Sequence, residues 1–288
     1  MTSVLQGVGR NKDEHRIIDS STGIHNTVSD DNTETKKKKA NTKYKTSYSS
    51  VTLERAEARL GFPITLLSHN VIPVESMLQG NSTFKGLKPD AMLKTKKLVY
   101  DLLMRHILIE GYPGSHLDYS EASINDLVYA IINPVISNFI LCQPNQQAGH
   151  KMIYLLREKE IISADDETGE KEEFIVKDLI GSTMKGTYVF VVEAMKTAWV
   201  EAMKQCLLSM KDMRDNNGGG VVYGFVTTGQ DWQMLSYDSK GFRLTESFQV
   251  VFHGMARNKK RWMEHYSILV ECMLFALSNG GIVEKEVK

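Results

Sequence analysis

Two acidic residues and a lysine lie at the ends of β-forming segments. Side chains of these types occur in active sites that hydrolyse phosphodiesters. Glu193 and Lys196 end the apolar run "TYVFVVEAMK", and Asp178 lies fifteen positions before Glu193 in "VKDLIG". Carboxylates at neighbouring strand ends can hold Mg²⁺, with Mn²⁺ as an alternative, and such a cation activates water and neutralises a phosphate. A nearby lysine would position that water or stabilise the developing charge. These residues therefore predict a metal-dependent hydrolytic site.

The spacing of the lysine leaves its role open. Side chains alternate between the two faces of a strand, so Glu193 shares a face with Met195 and not with Lys196. Three other lysines are alternatives to Lys196: Lys185, Lys177 and Lys204. Either a β-bulge after Glu193 returns Lys196 to the site, or one of these three lysines replaces it, or the site is catalytically inactive.

Apolar residues at helical spacing predict the elements around this site. The segments "SSVTLERAEARLGF" and "PDAMLKTKKLVYDLLMRHILIEG" are typical of helices. A third helix begins within "DYSEASINDLVYAIINPVISNFI", where Ser120 and Ser123 are candidate N-caps and Pro134 is expected to bend or break the helix. Residues 199–213 predict a fourth helix, and residues 258–277 predict a last one.

The strands follow a different pattern. The segment "HKMIYLLREKEIIS" predicts a strand, "DDETGEKE" a turn around Gly169, and "EEFIVKDLIG" the partner strand of a hairpin. Residues 188–192 predict a strand, "VVYGFVTTGQDWQMLSYD" two strands around Gly229, and "GFRLTESFQVVF" another. The sequence therefore predicts an α/β (α+β) fold, in which a mixed central β-sheet is flanked by helices and preceded by a helical N-terminal region.

The element order, the strand end "VVEAMK" and the helix "WVEAMKQCLLSM" resemble the PD-(D/E)XK nuclease superfamily, in the divergent form found in many uncharacterised fungal and Crinkler-like proteins. The resemblance covers residues 120–240 and implies a restriction-endonuclease-like fold. It also implies that one acid on a first helix, an Asp on the second strand and a (Glu/Asp)-x-Lys on the third strand hold one or two magnesium ions.

The resemblance assigns roles to particular residues. Asp178 and Glu193 would be the two metal-binding acids of the strands, and the acid of the first helix would be Glu121 or Asp126. Lys196 would position the attacking water. Gln205 would support the site, like the glutamine found on the following helix in several branches.

Two functions of different classes follow. The first is a Mg²⁺-dependent nuclease that hydrolyses DNA or RNA. The second is an inactive nuclease-like module that binds nucleic acid or a protein partner and acts as an effector or regulatory factor. The spacing of the lysine from Glu193 separates the two hypotheses.

Composition divides the chain and limits its surroundings. Residues 1–48 are polar and lysine-rich and predict a disordered tail, and residues 49–119 predict a helical region. The resemblance implies that residues 120–288 form the nuclease-like domain. Within the tail, Lys36 to Lys39 are either an import or phosphate-attracting signal or a solvated linker. Three separated cysteines predict reduced core thiols and an intracellular protein, nuclear or cytoplasmic. No signal peptide or membrane span is expected.

Two C-terminal stretches concern partners. The cluster "ARNKKRW" is either a nucleic-acid contact, in which Trp262 stacks on a base, or a solvated helix start. The apolar run "WMEHYSILVECMLFAL" predicts either a core helix or an interface with a second copy or a protein partner. The glycines of "NNGGGVVYG" predict a connecting loop rather than a phosphate-binding loop, because no Gly-Lys-Ser/Thr follows them.

Overall fold

A seven-stranded sheet with helices on both faces forms the frame of the molecule. The computed structural model describes residues 43–79, 88–113, 119–143, 151–179, 185–196 and 198–282. Residues 41–288 form one compact unit. The predicted class, a mixed sheet flanked by helices, is confirmed. The lysines 36–39 and most of the predicted tail lie outside the described residues.

The large sheet has the strand order β10-β8-β7-β6-β5-β2, and β9 pairs with β8. Its strands are β2 (Ile153–Leu156), β5 (Phe174–Leu179), β6 (Gly186–Ala194), β7 (Val222–Thr227), β8 (Asp231–Asp238), β9 (Gly241–Leu244) and β10 (Phe248–Gln249). Strands β6 and β7 are parallel and are joined by helix α6 (Trp199–Asn217), whereas the other pairs are antiparallel. This parallel pair requires a crossover helix, because a hairpin turn cannot connect parallel strands.

A separate three-stranded sheet corrects two predictions. Its strands are β1 (Thr46–Ser47), β3 (Lys159–Ile162) and β4 (Thr168–Glu172). The predicted single strand "HKMIYLLREKEIIS" is wrong, because the chain turns at Glu158, which has a φ of 50°. Gly169 lies within β4 and not in a turn. The predicted end of the tail at residue 48 is also wrong, because Tyr48 is fully buried.

The N-terminal helices are α1 (Leu53–Leu60), α2 (Ile64–His69), α3 (Val74–Gln79) and α4 (Pro89–Glu110). Helix α1 begins where the Thr52 side chain accepts a hydrogen bond from the Arg55 amide. It ends at Gly61, whose φ of 82° suits a residue without a β-carbon. These helices confirm the predicted helical region.

Helix α5 (Glu121–Cys142) packs against α4 and against the C-terminal helix α8 (Ile268–Asn279), and it carries part of the candidate site. Ser120 is its N-cap and accepts a hydrogen bond from the Ser123 amide. The predicted break at Pro134 is wrong, because the helix continues through this buried residue. Helix α5 is long and apolar enough to cross a membrane by length and composition, although 61% of its apolar window is buried inside the fold.

The two faces of the sheet carry different cores. Phe190 and Val192 of β6 pack in the cluster that contains α5 and α8, whereas Val191 packs against α6. Odd-numbered side chains near the end of β6 therefore face α6, and even-numbered ones face α5. This alternation decides on which face each candidate residue lies.

The C-terminal region consists of a 3-10 turn (Met255–Arg257), α7 (Lys259–Arg261), a π-helical turn (Trp262–Tyr266) and α8 (Ile268–Asn279). The core alternative for α8 is confirmed by its burial. Trp262 is fully buried and its Nε1 donates to the Val250 carbonyl at 2.9 Å, so the proposed stacking of this indole on a base is wrong. All three cysteines are free, but Cys142 is exposed and is not a core thiol.

Candidate functional site

A pocket of about 490 Å³ lies beside the C-terminal end of β6. We call it the acidic pocket, because five carboxyl groups and one amine line it. Its lining residues are Ser49, Glu121, Ala122, Asn125, Glu170, Lys171, Glu172, Glu173, Glu193, Ala194, Met195 and Gln205. Three of the six predicted site residues, Glu121, Glu193 and Gln205, therefore meet at one place.

Glu193 is one of two buried acids that line this pocket. It pairs with Val226 of β7 and shares the α6 face of the sheet with Val191. Its side chain is 8% exposed, and its Oε1 accepts no hydrogen bond from any described residue. A buried carboxyl oxygen without a donor lowers the stability of the fold, and a proton, a water molecule or a cation would each relieve this cost.

Glu172 is the second buried acid and contacts the first. It lies at the end of β4 and accepts a hydrogen bond from Ser209 Oγ at 2.6 Å. Burial raises the pKa of the Glu172 carboxyl. Burial, and then the charge of Glu172, raise the pKa of Glu193 well above its ordinary value, and the two carboxyl groups share a hydrogen bond. Two acids in this arrangement hold either one proton between them or a cation.

The helical residues of the pocket come from α5 and α6. Glu121 lies in the first turn of α5, and Asn125 follows it one turn later. Gln205 of α6 is buried and its Nε2 donates to Glu201 Oε1 at 2.9 Å. The other candidate for the helical acid, Asp126, is exposed and does not line the pocket.

The predicted convergence of Asp178 and Glu193 is wrong. Strands β5 and β6 are antiparallel, and Asp178 pairs with Thr187, six residues before Glu193. At ~3.3 Å per residue, the two acids are separated by roughly 20 Å along the sheet. Asp178 Oδ1 instead accepts a hydrogen bond from the Met152 amide at 2.8 Å, which fixes the start of β2.

Lys196 lies beside a different cavity from Glu193. The register of β6 with β7 is regular through Glu193 and Ala194, so no bulge follows Glu193 in this pair. Lys196 lines a cavity of about 280 Å³ together with Tyr119 and Asp231. The predicted role of Lys196 in the acidic pocket is therefore not supported by its position.

The three alternative lysines also lie outside the acidic pocket. Lys185 is exposed and immediately precedes β6, at the opposite end from Glu193. Lys177 Nζ lies 4.0 Å from the ring centre of Tyr188. Lys204 Nζ donates to the Val51 carbonyl at 2.6 Å. Of the described lysines, Lys171 is the one that lines the pocket, and its Nζ pairs with Glu158 at 2.8 Å.

The segment before α1 forms one wall of the pocket. The amide and the hydroxyl of Ser49 both donate to Glu170 Oε2, at 3.1 and 2.8 Å. Tyr48 holds this segment in place, because its hydroxyl donates to the buried Asp212 Oδ2 at 2.8 Å. This wall was not predicted from the sequence, because Tyr48 was assigned to the tail and Ser49 to the start of the helical region.

A larger cavity of about 580 Å³ lies between α5 and the edge strand β2. Burial lowers the pKa of Lys151, which lines it, to about 8. Lys151 Nζ donates to the carbonyls of Leu277 and Gly280 at 2.9 and 2.7 Å, near the end of α8. This amine therefore has two structural partners within the chain.

The residues of the acidic pocket would give a divalent cation only part of its ligand shell. Across the described part of the chain, no three His, Cys, Asp or Glu side chains converge closely enough to form a metal site by themselves. Mg²⁺ often needs only one or two carboxylates, because water and substrate phosphates complete its shell. Glu172 and Glu193, with the unpartnered Oε1 of Glu193, supply such a pair.

Comparisons with known proteins add no assignment. No protein-family model matches the chain, and no curated protein matches it in sequence.

Proposed function

We propose that the acidic pocket binds Mg²⁺ or Mn²⁺ and that the protein is a metal-dependent, nuclease-like hydrolase of phosphodiesters in DNA or RNA. The observation that carries this proposal is the buried Glu193, whose Oε1 lacks a donor, in contact with the buried Glu172. A polyanionic substrate is repelled by five carboxyl groups, so it can approach this pocket only when a cation is bound.

The order and directions of the elements support the same proposal. Helix α5 is followed by the antiparallel strands β2, β5 and β6, then by α6 and the parallel strand β7. A helix, three antiparallel strands, a helix and a parallel strand form the arrangement expected of a restriction-endonuclease-like core. The small sheet of β1, β3 and β4 is an addition that brings Glu172 to the site.

The residues of the pocket would have different roles in binding the cation. Glu172 and Glu193 would hold the cation, and Glu121 at the pocket rim would hold one of its water molecules. The bound cation would supply charge neutralisation at the phosphate and a more acidic water. Gln205 would fix the wall of the pocket through its bond to Glu201. Ser209 would orient Glu172 by donating to its Oε1.

The alternative is an inactive module with the same fold. Met195 occupies the position where the resemblance implies a lysine, and Lys171, which lines the pocket, is paired with Glu158. A pocket without a positioned amine favours binding over cleavage, because the developing charge lacks a second cationic group. Under this alternative the pocket still binds the cation.

A nuclease assay separates these functions. The substrates are single- and double-stranded DNA and RNA, with Mg²⁺ or Mn²⁺, and the variants are Glu193→Gln and Asp178→Asn. We expect cleavage by the wild type, a loss of about 100-fold or more in Glu193→Gln, and full activity in Asp178→Asn, since loss of a metal ligand weakens or abolishes metal-dependent catalysis. Cleavage that survives in Glu193→Gln would contradict the proposed site. Metal-dependent DNA binding without cleavage would favour the inactive module.

A further inference from the structure

Asn125 lines the acidic pocket, and its side-chain oxygen does not contribute to the stability of the fold. It lies one turn after Glu121 on α5, and both side chains line the pocket. Asn125 is 9% exposed, and its Oδ1 accepts no hydrogen bond from any described residue. Asparagine is a poor helix former, and a buried amide oxygen without a donor lowers stability further. An apolar residue at this position would give a more stable helix.

The other buried asparagines of the described chain have hydrogen-bond partners for their side-chain amides. Asn138, on the same helix, donates from Nδ2 to the Ala91 carbonyl at 3.1 Å. Asn279 donates from Nδ2 to the Phe275 carbonyl at 2.8 Å. Both are explained by contacts within the chain. Asn125 differs from them because it lines a pocket and its buried oxygen has no donor among the described residues.

Two residues that line the pocket therefore carry a buried oxygen that accepts no hydrogen bond from any described residue, and they come from different elements. Glu193 Oε1 is supplied by β6 and Asn125 Oδ1 by α5. The remaining buried polar atoms without partners in the described chain, Arg59 Nε and Ser236 Oγ, belong to residues that do not line this pocket. Both atoms are acceptors, so either a hydrogen-bond donor or a cation would satisfy them.

We infer that Asn125 Oδ1 is a neutral oxygen ligand of the divalent cation in the acidic pocket. This inference rests on the proposed function, because it concerns the same cation. Hard cations such as Mg²⁺ and Mn²⁺ accept amide carbonyl oxygens beside carboxylates. A neutral ligand suits this position, since five carboxyl groups already line the pocket and a further charge would add repulsion in the metal-free protein.

Calorimetric titration of the full-length protein with Mn²⁺ tests the inference. Asn125→Leu removes the oxygen and keeps a side chain of similar size, whereas Asn125→Asp keeps an oxygen at the same position. We expect Asn125→Leu to weaken Mn²⁺ binding about 10-fold or more, the range found when groups that support a metal site are removed. Asn125→Asp is expected to bind at least as tightly as the wild type.

A matched control and a second readout separate a ligand from a structural residue. Asn133→Leu changes an exposed asparagine of the same helix that does not line the acidic pocket, and its Mn²⁺ affinity should equal that of the wild type. Without metal, Asn125→Leu should have a Tm equal to or above that of the wild type, because it removes an unpartnered buried amide. A lower Tm would mean that the amide has a structural partner and would overturn the inference.

The Glu193→Gln variant distinguishes failure of this inference from failure of the proposed function. If Glu193→Gln weakens Mn²⁺ binding and Asn125→Leu does not, the cation site stands and Asn125 is not its ligand. If Asn125→Asp binds as weakly as Asn125→Leu, the oxygen is also not a ligand. If the wild type itself does not bind Mn²⁺, the proposed function and the role of Asn125 both fail.

Discussion

Burial and mutual contact change the pKa values of Glu172 and Glu193. Each would be ionised at neutral pH in water, but burial raises the pKa of both carboxyl groups. Their contact adds repulsion when both are charged. Without a cation, the pair therefore keeps a proton that the unfolded chain would release.

This retained proton predicts the pH dependence of stability. Above the ordinary glutamate pKa of about 4.3, the folded protein binds more protons than the unfolded chain, so its free energy of unfolding falls as the pH rises. Glutamine imitates the protonated acid. In the presence of EDTA, Glu193→Gln should therefore be more stable than the wild type at pH 7.5, and the difference should shrink towards pH 4.5.

Urea unfolding at several pH values measures this effect. The control is Glu264→Gln, which changes an exposed acid outside the pocket and should alter stability little at any pH. A wild-type protein that gains stability relative to Glu193→Gln as the pH rises would contradict the assignment of a raised pKa to Glu193.

The sequence predicted Glu193 but paired it with the wrong acid. The prediction of Asp178 followed a motif and ignored the direction of the strands. In an antiparallel pair the start of one strand lies opposite the end of the other, and Phe174 indeed pairs with Val192. The acid nearest to Glu193 must therefore lie just before Phe174, which selects Glu172 and Glu173. The predicted hairpin joined "EEFIVKDLIG" to the strand before it and not to β6, so this pairing was missed.

At the scale of elements, the segment before α1 has a larger role than its composition suggests. Tyr48 donates to Asp212 at 2.8 Å, and Asp212 also bonds to Arg59 Nη2 and Thr168 Oγ1, at 3.1 and 3.2 Å. This network joins the segment, α1, β4 and α6. It thereby holds Ser49 and Glu170 at the rim of the acidic pocket.

Tyr48→Phe tests this network. The substitution leaves the buried Asp212 with one donor fewer, so we expect a loss of about 1.5–3 kcal/mol in the free energy of unfolding, the range for hydrogen bonds to charged groups. The control is Tyr154→Phe, at a largely exposed side chain. Equal stability of the two variants in urea unfolding would show that the network does not hold the segment.

Helices with clear caps were predicted from the sequence, whereas the small sheet was not. The N-cap Thr52 and the terminal Gly61 identify α1 by local chemistry. Strands β3 and β4 are mostly charged, and their pairing with each other and with β1 is not visible in any local pattern. Tertiary contacts decide such segments. The same holds for Pro134, which remains helical because α5 is packed in the core.

For the whole molecule, an equal number of acidic and basic residues conceals an uneven distribution. The chain has 35 of each, yet five carboxyl groups and one amine line the acidic pocket. In the basic cluster "ARNKKRW", at least one side chain is already paired with an acid, because Lys259 Nζ lies 2.7 Å from Asp101 Oδ1. Net charge therefore says little about partners, whereas the local field of the pocket predicts attraction of cations.

Cation binding should stabilise the whole fold. A ligand that binds only the folded state stabilises it by RT ln(1 + [L]/Kd), which is about 2.7 kcal/mol at 100 times Kd. We expect Mn²⁺ to raise the Tm of the wild type and of Asp178→Asn, and to leave that of Glu193→Gln unchanged. Thermal unfolding with Mn²⁺ and with EDTA provides the comparison. An equal rise in all three proteins would indicate that Mn²⁺ binds elsewhere.

The most direct test of the account is a crystal structure grown with Mn²⁺, in which anomalous scattering locates the ion. We expect an ion in the acidic pocket, with oxygens of Glu193 and Glu172 at a coordination distance of about 2.1 Å. An empty acidic pocket at saturating Mn²⁺, or an ion bound at Asp178 instead, would contradict it.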